Sequence, residues 1–83
     1  MGIIKNIIMK QEQIPLLTRQ ICKRFKMVRL EANLTQPQYG AKLNLTRSAV
    51  NAIEHFRYCP SIETIKLIKK KFNKSYDWII EGK

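Results

Sequence analysis

The sequence predicts an all-α fold, five helices in one small domain, and three observations carry that prediction. Where apolar residues are dense they recur at steps of three and four, the spacing of one helix face. Thr35, Thr46, Ser61 and Ser75 each stand just before such a stretch, as helix N-caps do. The chain has 83 residues, the size of one domain. A chain this short hides only roughly 60–65% of its unfolded surface, so its helices must pack densely.

Helix 1 is expected over residues 15–32, because Ile14, Leu17, Ile21, Phe25, Val28 and Ala32 form one core stripe. Asn33 suits the C′ position that ends it. Helix 2 is expected over residues 36–43. Thr35-Gln36-Pro37-Gln38 is a T-x-x-Q capping box, and Pro37 is tolerated because first-turn amides lack intrahelical partners. Tyr39 and Leu43 give this helix an apolar stripe, with Gly40 between them where a following helix can approach closely. Asn44 accepts the left-handed turn that comes next.

Thr46 caps helix 3, expected over residues 47–55. Val50 and Ile53 face inward, and Arg47, Ser48, Asn51 and Ala52 remain outside. Helix 4 opens at Pro60-Ser61 with an inward set of Ile62, Ile65, Leu67, Ile68 and Phe72. Lys66, Lys69, Lys70, Lys71 and Lys74 crowd its polar side and C-terminal end. They complement the helix dipole there, and a phosphate role is the alternative. Ser75 caps a last helix over residues 76–81, with Trp78 as a core anchor.

Residues 1–14 form an N-terminal arm ahead of a domain spanning residues 15–82. Ile3, Ile4, Ile7 and Ile8 fit one face of a helical turn or of a β-strand. A dimer contact, packing on the same domain and a frayed arm all remain open. Lys5 and Lys10 interrupt this apolar stretch, which is too short for a signal sequence or a membrane span.

The formal net charge is +10. A solvated lysine-rich surface explains part of such an excess, but its size in so short a chain favours a polyanionic partner. The excess is largest in the middle of the chain, between residues 21 and 57. Cys22 and Cys59 form no Cys-x-x-Cys or Cys/His cluster, so no metal site is expected, and they read as reduced cytoplasmic thiols. His55, the single histidine, has no triad partner. With no Gly-rich phosphate loop, carboxylate pair or Cys/His nucleophile arrangement, the sequence gives no basis for an enzyme or a cofactor.

Residues 34–53 carry most of the functional signal: two short helices joined by a turn of fixed length. A short helix with small and hydrogen-bonding residues outside, on a basic chain, suits the DNA major groove. Arg47 offers a bidentate fork to guanine, Asn51 pairs with adenine, Ser48 reaches either, and Ala52 meets a thymine methyl. Each has a plainer reading. Arg47 and Asn51 also suit phosphates, Ser48 an extra first-turn cap, and Ala52 simple helix formation. Thr46 both caps and touches DNA, and Lys42 and Arg57 stand beside the groove as phosphate partners.

From Ile21 to Gly82 the chain resembles the Xre, or Cro/repressor-type, helix-turn-helix family of lambdoid phage repressors. The resemblance runs through Arg24-Phe25-Lys26-Met27-Val28-Arg29, Leu34-Thr35-Gln36, Leu45-Thr46-Arg47-Ser48, Ile53-Glu54 and Pro60-Ser61-Ile62-Glu63-Thr64. It closes with Ser75-Tyr76-Asp77-Trp78-Ile79-Ile80-Glu81-Gly82. It implies a compact five-helix lambda-repressor-like domain with helices 2 and 3 as the helix-turn-helix. It also implies Gln36 as a phosphate clamp, and an Arg29–Glu54 ion pair that fixes helix 3 and aims Arg29 at a phosphate. Gly40 replaces the family's small Ala, weakening the helix by up to about 1 kcal/mol, and Asn44 replaces the turn Gly. Phe56 replaces the Gly after the recognition helix. A Phe at positive φ is costly, so the exit of helix 3 is expected to differ, with that helix running longer.

The expected function is sequence-specific binding of double-stranded DNA by a transcriptional regulator, most simply a repressor. It would be a homodimer on a palindromic operator, in a bacterial or phage-encoded cytoplasmic setting and nucleoid-associated through DNA. An autorepressing antitoxin that binds a toxin, and a restriction–modification controller, are the alternatives.

Overall fold

Tyr39 lies at the centre of the molecule, fully buried. Its ring centroid is 4.9 Å from that of Phe25 and 5.6 Å from that of Phe72. Its hydroxyl, taken out of water, donates to the Phe25 carbonyl at 2.6 Å, satisfying a group that is costly to bury unpaired. That burial raises the phenol above its ordinary pKa. The computed structural model describes residues 15–83. The arm of residues 1–14, with the dimer contact considered for it, lies outside the described residues.

The described chain forms α1 (Leu16–Glu31), α2 (Gln36–Leu43), α3 (Arg47–Glu54), α4 (Ile62–Phe72) and α5 (Tyr76–Glu81), with no strand among the described residues. Each helix contributes to one core. Cys22, Phe25 and Val28 come from α1, Tyr39 and Leu43 from α2, Val50 from α3, Ile68 from α4 and Ile79 from α5. The predicted all-α fold and its five helices stand.

All four expected N-caps are in place. Thr35, Thr46, Ser61 and Ser75 accept from the amides of Gln38, Ala49, Thr64 and Trp78. At Thr35 the box is reciprocal, since Gln38 Oε1 accepts the Thr35 amide at 2.9 Å. Asn33, Asn44 and Asn73 close α1, α2 and α4 at φ of 57°, 59° and 58°. Arg24 supports the end of α5 by donating from Nη1 to the carbonyls of Ile79 and Ile80, at 3.1 and 3.2 Å.

Several expectations need correction. Helix 3 does not run longer: it ends at Glu54, and Phe56 takes the positive φ itself, at 65°. The Phe56 amide donates to the Ile53 carbonyl at 3.0 Å and the Arg57 amide to that of Ala52 at 2.9 Å. This is a Schellman closure. The ring is half-buried against the core, and the Arg19 guanidinium lies 6.0 Å from its centroid. Packing and two hydrogen bonds thus offset the backbone cost.

Ile62 is not inward but 78% exposed. The buried stripe of α4 centres on Thr64, Ile65, Ile68 and Phe72, and Ile62 sits about 100° round from it. Leu17 is also largely exposed, in the first turn of α1. Trp78 is half-buried on the flank of the core, beneath Lys74 Nζ at 4.9 Å from its centroid. Both cysteines are free. The buried Cys22 thiol donates to the Tyr58 carbonyl at 3.2 Å, and burial pushes its pKa up to about 11.

Gly40 is where the turn after α2 and the start of α3 crowd the α2 backbone. A Cβ there would collide with the Leu45 carbonyl oxygen and lie 3.3 Å from Val50 Cγ2. Gly40→Ala gains up to about 1 kcal/mol of helix propensity, but strain of roughly 1–3 kcal/mol from overpacking opposes it. The expected outcome is a net loss of stability; a raised midpoint in urea denaturation would show that the turn has slack.

Candidate nucleic-acid interface

The turn between α2 and α3 fixes where α3 points. Asn44 is left-handed, and the Leu45 amide returns to the Gly40 carbonyl at 2.8 Å. Thr46 then starts α3 in extended backbone and caps it. Val50 and Ile53 are buried beneath the helix, so the opposite face must look outward. On it Arg47 and Ser48 are exposed, while Asn51 and Ala52 are half-buried. Ser48 makes no side-chain hydrogen bond among the described residues; the capping role belongs to Thr46.

Beneath this face lies a buried carboxylate. The Glu54 side chain is 2% exposed and its Arg29 partner 14%. Arg29 Nε donates to Glu54 Oε2 at 2.7 Å and Nη2 to Oε1 at 2.9 Å, a bidentate pair. Nη1 donates to the Leu34 carbonyl at 3.0 Å, tying the same guanidinium to the segment before α2. The hydrogen bond to Glu54 holds the guanidinium pKa above its ordinary value, against the opposing effect of burial. The ion pair expected from the sequence is therefore present, and it joins α1 to α3.

Gln36, at the first position of α2, completes the cluster. Its Nε2 donates to Glu54 Oε1 at 3.1 Å and to Asn51 Oδ1 at 3.3 Å. The sequence singled out Gln36 for the DNA backbone and Asn51 for bases, but the contact of Gln36 with Glu54 was not read from it. A signal did exist: a buried carboxylate has more acceptor sites than one Arg fills, and Gln36 opens the helix that packs beside α3.

The remaining candidates lie around this cluster. Thr46 is exposed at the start of α3, Lys42 is exposed in the last turn of α2, and Arg57 is exposed just after α3. Lys71, which the sequence assigned to the end of helix 4, donates to the Lys42 carbonyl at 2.8 Å. His55 Nδ1 lies 2.9 Å from the Asn51 carbonyl, a backbone contact at the end of α3. No group of His, Cys, Asp and Glu suited to a metal occurs among the described residues.

Residues 25–79 match the helix-turn-helix family. The chain belongs to that family, of the Xre type its motifs resemble. It is also 44% identical over 46 residues to an immunity repressor protein of Bacillus phage phi105. That stretch is 55% of this chain and 32% of the phage protein, so the matched region is about a third of the relative's length. No solved structure matches.

The cluster generates a stability prediction. Glu54→Ala strands Arg29 in a largely enclosed place, at a cost on the order of 3 kcal/mol. Thermal melting should show the loss directly, and a melt equal to wild type would remove the pair from any part in holding α3.

Proposed function

We propose that the protein is a sequence-specific, double-stranded-DNA-binding transcriptional repressor that lodges α3 in the major groove. The observation that carries this is the outer face of α3. Arg47, Ser48, Asn51 and Ala52 stand on it, anchored from beneath by the Arg29–Glu54 pair. In this reading those four residues face base edges. Gln36, Thr46, Arg29, Lys42 and Arg57 hold phosphates and set the register of the helix on the duplex. The net charge of +10 supplies attraction to the backbone that carries no sequence information. The kinship with a phage immunity repressor favours repression over activation. The setting is the bacterial cytoplasm, where the protein meets DNA. Among the described residues no helix is long and apolar enough to cross a membrane.

Selection of bound duplexes from a random pool tests this reading, and Arg47→Ala sharpens it. The variant should lose about 1–3 kcal/mol on the selected site and relax the preference at one base position. An equal loss on all sequences would make Arg47 a phosphate contact.

One recognition helix reads too few base pairs to specify a site in a genome, so we place two copies on a palindromic operator. Their half-sites would lie about one helical turn apart, roughly 34 Å. The surface that best supports a contact between copies lies on α4 and α5. Ile62, Tyr76 and Ile80 are 78%, 40% and 37% exposed. With Ile65 and Lys66 they line a recess of about 390 Å³. Ile79, next to Ile80 in α5, is buried in the core and takes no part. Ile62→Lys combined with Ile80→Lys should give a monomer in sedimentation with its helical spectrum intact, while deletion of residues 1–9 leaves the dimer. The reverse pattern would move the contact to the arm.

A further inference from the structure

The cluster under α3 has a direction, set by which of its atoms can donate. Arg29 carries donors only, and the ionised Glu54 carboxylate carries acceptors only. Whatever else touches Glu54 Oε1 must therefore donate. Gln36 does so at 3.1 Å, which fixes its amide with nitrogen, not oxygen, toward the carboxylate. The second hydrogen of the same nitrogen points at Asn51, 3.3 Å away. Asn51 must meet it with an acceptor, its Oδ1. That leaves the Asn51 Nδ2, with two N–H groups and no hydrogen-bond partner among the described residues, as the end of the amide free to meet a ligand at the outer face of α3. The buried charge of Glu54 thus orients an amide two residues away along the hydrogen-bond chain.

We propose that this relay makes Asn51 read a keto base, guanine or thymine, in the major groove. The inference rests on the reading of α3 as the recognition helix. Guanine presents two acceptors there, O6 and N7, and thymine presents O4; adenine sets its N7 acceptor beside the N6 donor, and cytosine presents the N4 donor alone. An outward Nδ2 is satisfied by guanine or thymine, meets an acceptor flanked by a competing donor at adenine, and faces only a donor at cytosine. The adenine pairing usual for Asn needs Oδ1 and Nδ2 to point at the base together. Here Gln36 holds Oδ1 sideways. Gln36 is then a positioning residue: it sets which atoms Asn51 presents, whatever its own contact with phosphate.

The test is base preference measured by competition on the selected duplex and its single-base variants. Asn51→Ala first identifies the position, as the one whose preference flattens. Wild type should favour guanine or thymine there by about tenfold over cytosine, and by less over adenine, whose N7 still accepts. Gln36→Met removes the donor at similar length and should cut that ratio to within about twofold. The ratio is the readout, since loss of a phosphate contact would weaken all sequences alike. Asn51→Asp keeps an acceptor for Gln36 and turns a second acceptor outward, so it should reverse the preference toward cytosine or adenine. A wild-type preference for adenine at the Asn51 position, or a Gln36→Met variant that keeps the full ratio, would overturn the relay while leaving groove binding intact. An Asn51→Ala variant with every base preference unchanged would overturn the relay along with the recognition role of this face.

Discussion

A carboxylate sealed under the outward helix is the constraint on which the arrangement turns. Glu54 sits among α1, the start of α2 and α3, 7% exposed as a residue. An ionised group in that place is tolerated only with partners of the right sign and geometry. Arg29 supplies two hydrogen bonds from α1, and Gln36 a third from α2. Three helices therefore meet at one charge, and none can slide without breaking a bond to it. Such pairs contribute little net stability compared with apolar packing of the same volume. Their effect is orientation. The cohesion comes from Tyr39, Phe25, Leu43, Ile68 and the other fully buried side chains.

That division explains what was legible in the sequence. Signals confined to a few neighbouring residues read through cleanly. The Thr35–Gln38 box, the caps at Thr46, Ser61 and Ser75, and the left-handed Asn33 and Asn44 are local chemistry, and all stand as expected. The Arg29–Glu54 pair was reached through family resemblance, since nothing local links residues 25 apart. Phe56 misled because its backbone cost is local while its compensation is not. The ring's place against the core and the Arg19 contact belong to the tertiary structure. Ile62 misled because spacing alone does not say where along a stripe the core is centred. The role of Gln36 toward Asn51 was invisible for a further reason: sequence names an amide but not which of its ends faces inward.

The lysine run of α4 separates in the same way. Lys71 reaches the Lys42 carbonyl in the last turn of α2, where a cation complements the negative end of a helix. Lys74 pairs with Glu31 at 2.8 Å and covers the ring of Trp78. Lys69 lies 5.4 Å from the Tyr76 ring centroid. Part of the basic excess is thus spent on contacts within the domain, chiefly at helix ends and over aromatic faces. Such exposed contacts are individually weak. They still mean that net charge overstates what is free to meet a polyanion.

On the proposed function, selectivity has to come from elsewhere, because charge attracts every duplex equally. It requires side chains whose donors and acceptors are already aimed before DNA arrives, since an amide free to rotate satisfies an amino or a keto edge equally well. A domain this small has few ways to immobilise a polar side chain on its surface. Burying one carboxylate directly beneath that surface is an effective one. The charge cannot change which partners it accepts, so every hydrogen bond leading away from it has a fixed sense. The polarity set at Glu54 reaches Asn51 through a single intervening amide, with no additional element of structure.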